Sequence, residues 1–249
     1  RGCPVLPLRQ GVVLPGGVGP LSIGRPGSIA AAEAAGVAAE GDPRSGLVLI
    51  AVQREPSDRP VPSDLLPVAV LAKVLDAGRP PGRPPFVVVA GLRRVSLDHV
   101  AMEGRGMVAR YTDVEQEWGD AAPEAEGLLR AVRSELARLA DEVDENARLK
   151  ALLQAPLPPH LWLDAVASAV GGPVSWRRDL LLTADPKARA ERLARSSRQA
   201  DASTSVGWPV FGRTRRPDRG GHAYLVLGRS PSQLNSGVVC NSTSPLTCV

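Results

Sequence analysis

Three histidines, His99, His160 and His222, and three cysteines, Cys3, Cys240 and Cys248, are the side chains of this chain best suited to nucleophilic, acid–base or metal chemistry. Their spacing supports none of it. The cysteines stand at the two ends, far from metal-ligand spacing with any histidine, and an odd number at such positions argues against a disulfide framework and for a reducing compartment. No G-x-S-x-G or S-x-x-K stretch supplies an activated serine. The carboxylate pairs Asp141/Glu142 and Asp144/Glu145 fall on the polar side of an amphipathic run, which is a solvated face rather than an acid–base pair. A phosphate cradle is also missing: Gly-rich "LPGGVGPLS" lacks the Lys-Ser/Thr ending, and Pro15 and Pro20 remove two of the N–H donors such a loop uses. No catalytic, cofactor-binding or metal-ligating residue is assigned, and the chain is expected to be a binding or assembly module.

Two features could serve binding. In "GLRRV", Arg93 and Arg94 are adjacent on an expected strand, so they point to opposite faces. One is expected in solvent and the other paired with a carboxylate inside or at the rim; a structural role is favoured over a ligand contact. Of the four tryptophans, Trp162 and Trp176 fit helix packing, whereas Trp118 and Trp208 stand in loop-like sequence, where an exposed ring could anchor an apolar segment.

The net charge of +4 weakens as an argument for nucleic acid once it is divided along the chain. Residues 1–200 carry 25 basic and 24 acidic side chains, and the surplus sits in residues 201–249, with five Arg against Asp201 and Asp218. The expected folded part therefore lacks the basic excess that phosphate neutralisation calls for. A signal peptide is excluded for "PVLPLRQGVVLPGG" because Arg9 and Pro15 break its apolar run, and no stretch reaches the ~20 apolar residues of a membrane span.

The elements that must position these residues fall into two sets. Apolar, β-branched runs at Pro20 to Ile23, Leu47 to Val52, Val68 to Val74, Phe86 to Val89 and Met107 to Tyr111 predict strands. A further strand is expected before the Pro-Gly-Gly corner at residues 15–17. Several runs are continuous rather than alternating, as strands buried on both faces require, and a small closed barrel satisfies that. "SIAAAEAAG" predicts one helix with Ser28 as N-cap and Gly36 as stop, and "DAGRPPGRPP" predicts a hairpin loop. From Pro123 the period becomes helical through Leu128, Leu129, Val132, Leu136, Leu139 and Val143. "PPHLWLDAVASAVGG" predicts a second helix, and "ADPKARAERLAR" a third with Asp185 as N-cap and Pro186 at its first position. After about Ala200 the chain is dense in Ser, Gly, Pro and Arg, with only "HAYLVLG" strand-like, so disorder is expected there. The Asn241-Ser-Thr triplet carries little weight without a signal peptide.

The blocks "PVLPLRQGVVLPGGVGPLSIGR", "SIAAAEAA", "LIAVQRE", "PVPSDLLPVAVLAKVL" and "FVVVAGLRRVSL" occur in the order and spacing of the N-terminal substrate-recognition domain of the Lon ATP-dependent proteases, which the chain resembles over about residues 4–199. "LWLDAVASAV" and "DLLLTADPKARAERLARSSRQ" stand where that family has its small bundle and the start of its connecting helix. Gln10 and Ala69 depart from the acidic residue and the Gly more frequent there. The resemblance implies an α+β chain: a PUA-like β pseudo-barrel over residues 1–118, a helical bundle over 119–199 and an irregular non-family tail over 200–249. It implies binding of unfolded, damaged or degron-bearing polypeptides for ATP-dependent proteolysis, in the cytoplasm, with other Lon subunits as partners if the chain belongs to a hexamer. No membrane partner, no nucleic acid and no cofactor is implied.

The parent family is an ATP-dependent serine endopeptidase, but neither its Walker loop nor its Ser–Lys dyad occurs in this chain. Three accounts fit the change of character near residue 200: a truncated or frameshifted product, a stand-alone binding protein without proteolytic activity, or a deliberate fragment. The abruptness favours the first. RNA binding, by analogy with other PUA-like barrels, is the weaker alternative.

Overall fold

The computed structural model describes residues 2–116, 122–142, 147–170 and 172–202, all within one unit spanning Arg1–Phe211. Six strands come first: β1 (Cys3–Leu8), β2 (Val18–Ser22), β3 (Leu47–Gln53), β4 (Leu65–Gly78), β5 (Phe86–Glu103) and β6 (Gly106–Asp113), with helix α1 (Pro26–Ala35) between β2 and β3. Five further helices follow among the described residues: α2 (Ala122–Glu142), α3 (Ala147–Leu153), α4 (Pro159–Val170), α5 (Val174–Leu182) and α6 (Pro186–Ala202). The fold is α+β, as expected. The irregular tail, Trp118, Trp208, His222, Cys240, Cys248 and Asn241 lie outside the described residues.

The sheet runs β2-β5-β4-β3-β1-β6 and closes on itself because β5 also pairs with β6. One long strand makes the closure possible. The first part of β5, Phe86 to Ala90, pairs with β2, and its second part, Val95 to Glu103, pairs with β6. Bulges at Leu71/Ala72 and Val74/Asp76 on the β4–β5 ladder, and at Leu97/His99 on the β5–β6 ladder, supply the bending that a small barrel demands. Closure is incomplete at one seam. β2 pairs with β5 alone, and β1 pairs with β6 only through Cys3, Pro4 and Val5, which leaves Leu6, Pro7 and Leu8 without a strand partner on that side.

Central strand β3 accounts for the continuous apolar run. Val48 and Ile50 enter one core with Leu6, Leu8, Val87, Val89 and Ala31 of α1, while Leu49 and Ala51 enter another with Val5, Leu71, Val95 and Met107. Both faces of β3 are dry, so no polar alternation survives in its sequence. A third core joins the sheet to the helices: Val12, Leu14, Val52, Leu66 and Val70 meet Val132, Leu136, Trp162, Leu163, Val166, Leu180 and Leu193.

The Pro-Gly-Gly corner is a docking point for that third core. Gly16 has φ of +73°, and a Cβ there would lie 2.9 Å from the Ala165 Cβ of α4; one on Gly17 would lie 2.9 Å from the Ser168 hydroxyl. Backbone bonds between Gly16 N–H and Gly91 C=O, and between Gly91 N–H and Gly17 C=O, both 2.8 Å, tie the corner to β5. Only glycine combines that backbone with that approach.

One expectation needs correction. Ser28 is not the N-cap of α1; the helix starts at Pro26 with Arg25 in the capping position and no side-chain cap bond, because Pro26 is pre-set for the first helical position. The stop at Gly36 is as expected, with φ of +65°. Helices α3 and α5 were not among the sequence expectations. The cap of α6 is as read, with the Asp185 carboxylate accepting from Lys187 N–H at 2.9 Å.

Candidate binding site

Arg94 and Arg93 separate as adjacent strand residues must. Arg93 faces solvent and donates to Asp113 at 2.7 Å across the rim of the sheet. Arg94 is fully buried. Its guanidinium is bonded to the Asp164 carboxylate of α4, to the carbonyls of Leu180 at 2.9 Å and Leu181 at 3.1 Å, and to the Gln116 side-chain oxygen at 3.4 Å. Arg189 of α6 completes the cluster from the other side, 3.3 Å from Asp164, and donates to Gln116 and to the carbonyls of Thr183 and Ala184 at 2.7–2.8 Å.

Two buried arginines thus share one carboxylate, and their remaining hydrogen bonds go to the Gln116 side chain and to carbonyls at and just past the close of α5. Desolvation and the neighbouring Arg94 charge push Arg189 down to about 10, Asp164 opposing, so it remains a cation near neutrality. His160 lies one turn before Asp164 and is held below its usual value, first by burial and then by Arg189 and Arg94, with Asp164 opposing. This cluster joins strand to helices. It contains no nucleophile and no open position for a substrate, so its work is structural, as the favoured reading of "GLRRV" held.

Asp164 was the residue that sequence reasoning passed over. Its signal was available: it is the only acid in the apolar run "LWLDAVASAV", where a lone charge requires a partner.

The remaining candidates are dispersed. Trp162 is fully buried, its ring N–H donating to Leu152 C=O at 2.9 Å and its face 4.7 Å from the Arg133 guanidinium. Trp176 packs against the same core. His99 pairs with Arg110 just after the β5 bulge at Asp98, and burial pushes the Cys3 thiol up to about 11, which keeps it protonated and unreactive. Among the described residues no group of His, Cys, Asp and Glu could hold a metal.

Two surface features remain on the barrel. The first is a cleft of about 490 Å³ at the incomplete seam, lined by Leu6 to Gln10 on one side and by Ser22, Gly24, Arg25 and Ser28 on the other, with Asp58 at its edge. The second is the outer side of the β2–β5–β4 ladder. There Val18 of edge strand β2 is 42% exposed, and Leu75, in the β4 bulge opposite Val88 and across β5 from β2, is 41% exposed. Exposed apolar side chains beside an open strand edge suit contact with an extended polypeptide.

The model of the ATP-dependent protease La (LON) substrate-binding domain matches residues 2–196. The chain belongs to the Lon substrate-binding domain family. The Lon protease of Xanthomonas oryzae pv. oryzae is 32% identical over 194 residues, covering 76% of this chain and 22% of the relative. Lon protease 4 of Sorangium cellulosum is 29% identical over 226 residues, covering 90% of this chain and 27% of the relative. The chain therefore spans about a quarter of the length of these Lon relatives. Among solved structures, the N-terminal domain of the Mycobacterium avium complex Lon protease superposes with a TM-score of 0.63 at 25% identity, over 80% of this chain and 98% of that one. The Lon N-terminal domain protein from Xanthomonas campestris shares the fold, with a TM-score of 0.52 at 17% identity over 78% of this chain and 98% of that one. No helix among the described residues is long and apolar enough to cross a membrane.

Proposed function

We propose that this chain captures unfolded, damaged or degron-bearing polypeptides and presents them for ATP-dependent proteolysis in the cytoplasm, in association with other Lon subunits. The match of residues 2–196 to the Lon substrate-binding domain carries this reading. The surface is consistent with it: the barrel offers an open strand edge at β2 with Val18 exposed on it and Leu75 exposed across β5, and the described His, Cys, Asp and Glu residues form no metal-binding group. Capture of this kind needs main-chain partners and apolar contact rather than catalytic groups.

The full chain carrying a photo-crosslinker at position 18 or 75 should label a reduced, unfolded model protein several-fold more than its native form. Equal labelling of both forms would remove the reading.

A further inference from the structure

Residues 54–61, between β3 and β4, run past the incomplete seam, with Asp58 at the edge of its cleft. Separate elements hold this segment. Arg9, just past β1, meets Asp58 at 2.7 Å, and Arg25, at the start of α1, donates to Ser57 C=O at 2.8 Å and to Pro7 C=O of β1. Gln53, the last residue of β3, accepts from Ser57 N–H at 2.7 Å. From the helical side, Arg178 of α5 donates to Arg54 C=O at 3.1 Å. One surface segment thus bridges the seam and α5 through polar contacts alone.

These anchors hold it weakly. Arg54, Glu55, Pro56, Asp58, Arg59 and Val61 are exposed, and no residue of 54–61 belongs to a buried apolar cluster. Among the described residues, no backbone-to-backbone hydrogen bond reaches 55–60. The Arg9–Asp58 pair is open to water, at 51% and 75% side-chain exposure, and such pairs stabilise little. Few buried apolar contacts and few main-chain bonds mark the segments that open locally while the rest stays folded. Pro56 and Pro60 fix their own φ, so the piece between them moves with few internal freedoms.

Gln53 adds an observation of a different kind. It is 3% exposed, and its Nε2 has no hydrogen-bond partner while its Oε1 holds Ser57. A dry amide donor without an acceptor costs free energy in the closed arrangement, and release of Ser57 lets water reach it. The destabilised group therefore sits at the base of the weakly held segment.

We propose that residues 54–61 form a strap that opens as one unit from its base at Gln53, and that Arg178 couples its opening at the seam to α5. Opening frees Arg9 from Asp58 and Arg25 from Ser57 at the seam, and Arg178 from Arg54 on α5, in a single event. The strap stands independently of the capture reading. It gives the seam a route to the helices along the surface, where the buried cluster of Leu6 and Leu8 contains no residue of α2–α6.

The test is amide hydrogen exchange of the full chain, followed residue by residue by NMR. In the parent, Arg54 and Ser57 should exchange at least about a hundredfold faster than the slowest amides of β3. Coupling between two sites is reciprocal, so each end of the strap should respond to the other. Arg178→Gln should speed exchange at Ser57 by about threefold or more, and Asp58→Ala should do the same at Arg54, the scale of one exposed charged contact. Neither substitution adjoins the amide on which it is read, and the slowest β3 amides should keep their rates. A rise confined to Arg54 in Arg178→Gln and to Ser57 in Asp58→Ala overturns the single unit. Arg54 and Ser57 amides that exchange only as slowly as β3 overturn local opening, and a rise shared by β3 assigns both contacts to global stability and overturns the strap as well.

Discussion

Arg94, Asp164 and Arg189 show how one charge cluster replaces several local signals. Helix α5 has no basic residue in its last turn, and its own C-cap, Thr183, donates only to Asp179 C=O, which leaves the Leu180 and Leu181 carbonyls to a distant donor. Arg94 reaches them from β5, placing positive charge at the negative end of the helix, and Arg189 does the same for Thr183 and Ala184. Substituting Asp164→Asn leaves two buried guanidiniums without a counter-charge and should cost about 3–5 kcal/mol. Replacing buried ionic groups together by apolar ones is often neutral, but here Arg94→Met with Asp164→Leu and Arg189→Met should remain destabilising. Four carbonyls would lose their donors, each at about 1–3 kcal/mol if left dry. Urea denaturation of the single and triple variants checks both statements; a triple variant as stable as the parent would show that the cluster does not act as a cap. At this scale the sequence was half legible. The opposed directions of Arg93 and Arg94 follow from strand geometry alone, whereas the partner of Arg94 comes from seventy positions away.

The elements that were legible are those whose stability is local or periodic. β3 and β4 announce themselves as β-branched runs, α2 by its helical stripe through Val132 and Leu136, and α6 by Asp185 and Pro186. Helices α3 and α5 are seven and nine residues long, too short to be stable in isolation, and α5 is closed by a residue of β5. Neither carries its cause in its own sequence. The seam cleft was illegible for a related reason, since it draws residues 6–10, 22–28 and 58 together only because closure of the sheet stops short. The corner at residues 15–17 was seen as a turn, but its reason lies in α4. Gly16→Ala must adopt a left-handed backbone, worth ~1–2 kcal/mol, and also displace Ala165, so the combined loss should exceed about 2 kcal/mol. Gly11 provides the control: it also has positive φ, at +106°, but open space where a Cβ would go, so Gly11→Ala should lose only the backbone part. Equal losses at the two positions, read from chemical-denaturation midpoints, would mean that contact with α4 contributes nothing.

For the molecule as a whole, the decisive feature is that one of the three buried clusters is shared by the strands and the later helices. Leu66 and Val70 of β4 and Val52 of β3 lie in the same buried cluster as Trp162 and Leu163 of α4 and Leu193 of α6, and the Arg94 cluster crosses the same junction. The sequence changes period near residue 120, which proposes a barrel over residues 1–118 and a bundle over 119–199, yet the physical coupling between these parts is strong. Removing Leu66, 3% exposed, by Leu66→Ala should cost about 2–5 kcal/mol through lost burial and the cavity left behind. Because the cavity would open on both parts, native-state hydrogen exchange should report the same loss for the slowest amides of β3 and β4 as for those of α4 and α6. A loss confined to the strands would show that the helices keep their own stability. The β2 edge and the seam border a different cluster, that of Leu6, Leu8, Ile23, Val87 and Val89, to which no residue of α2–α6 belongs, so Leu66→Ala should leave polypeptide contact at β2 largely unchanged.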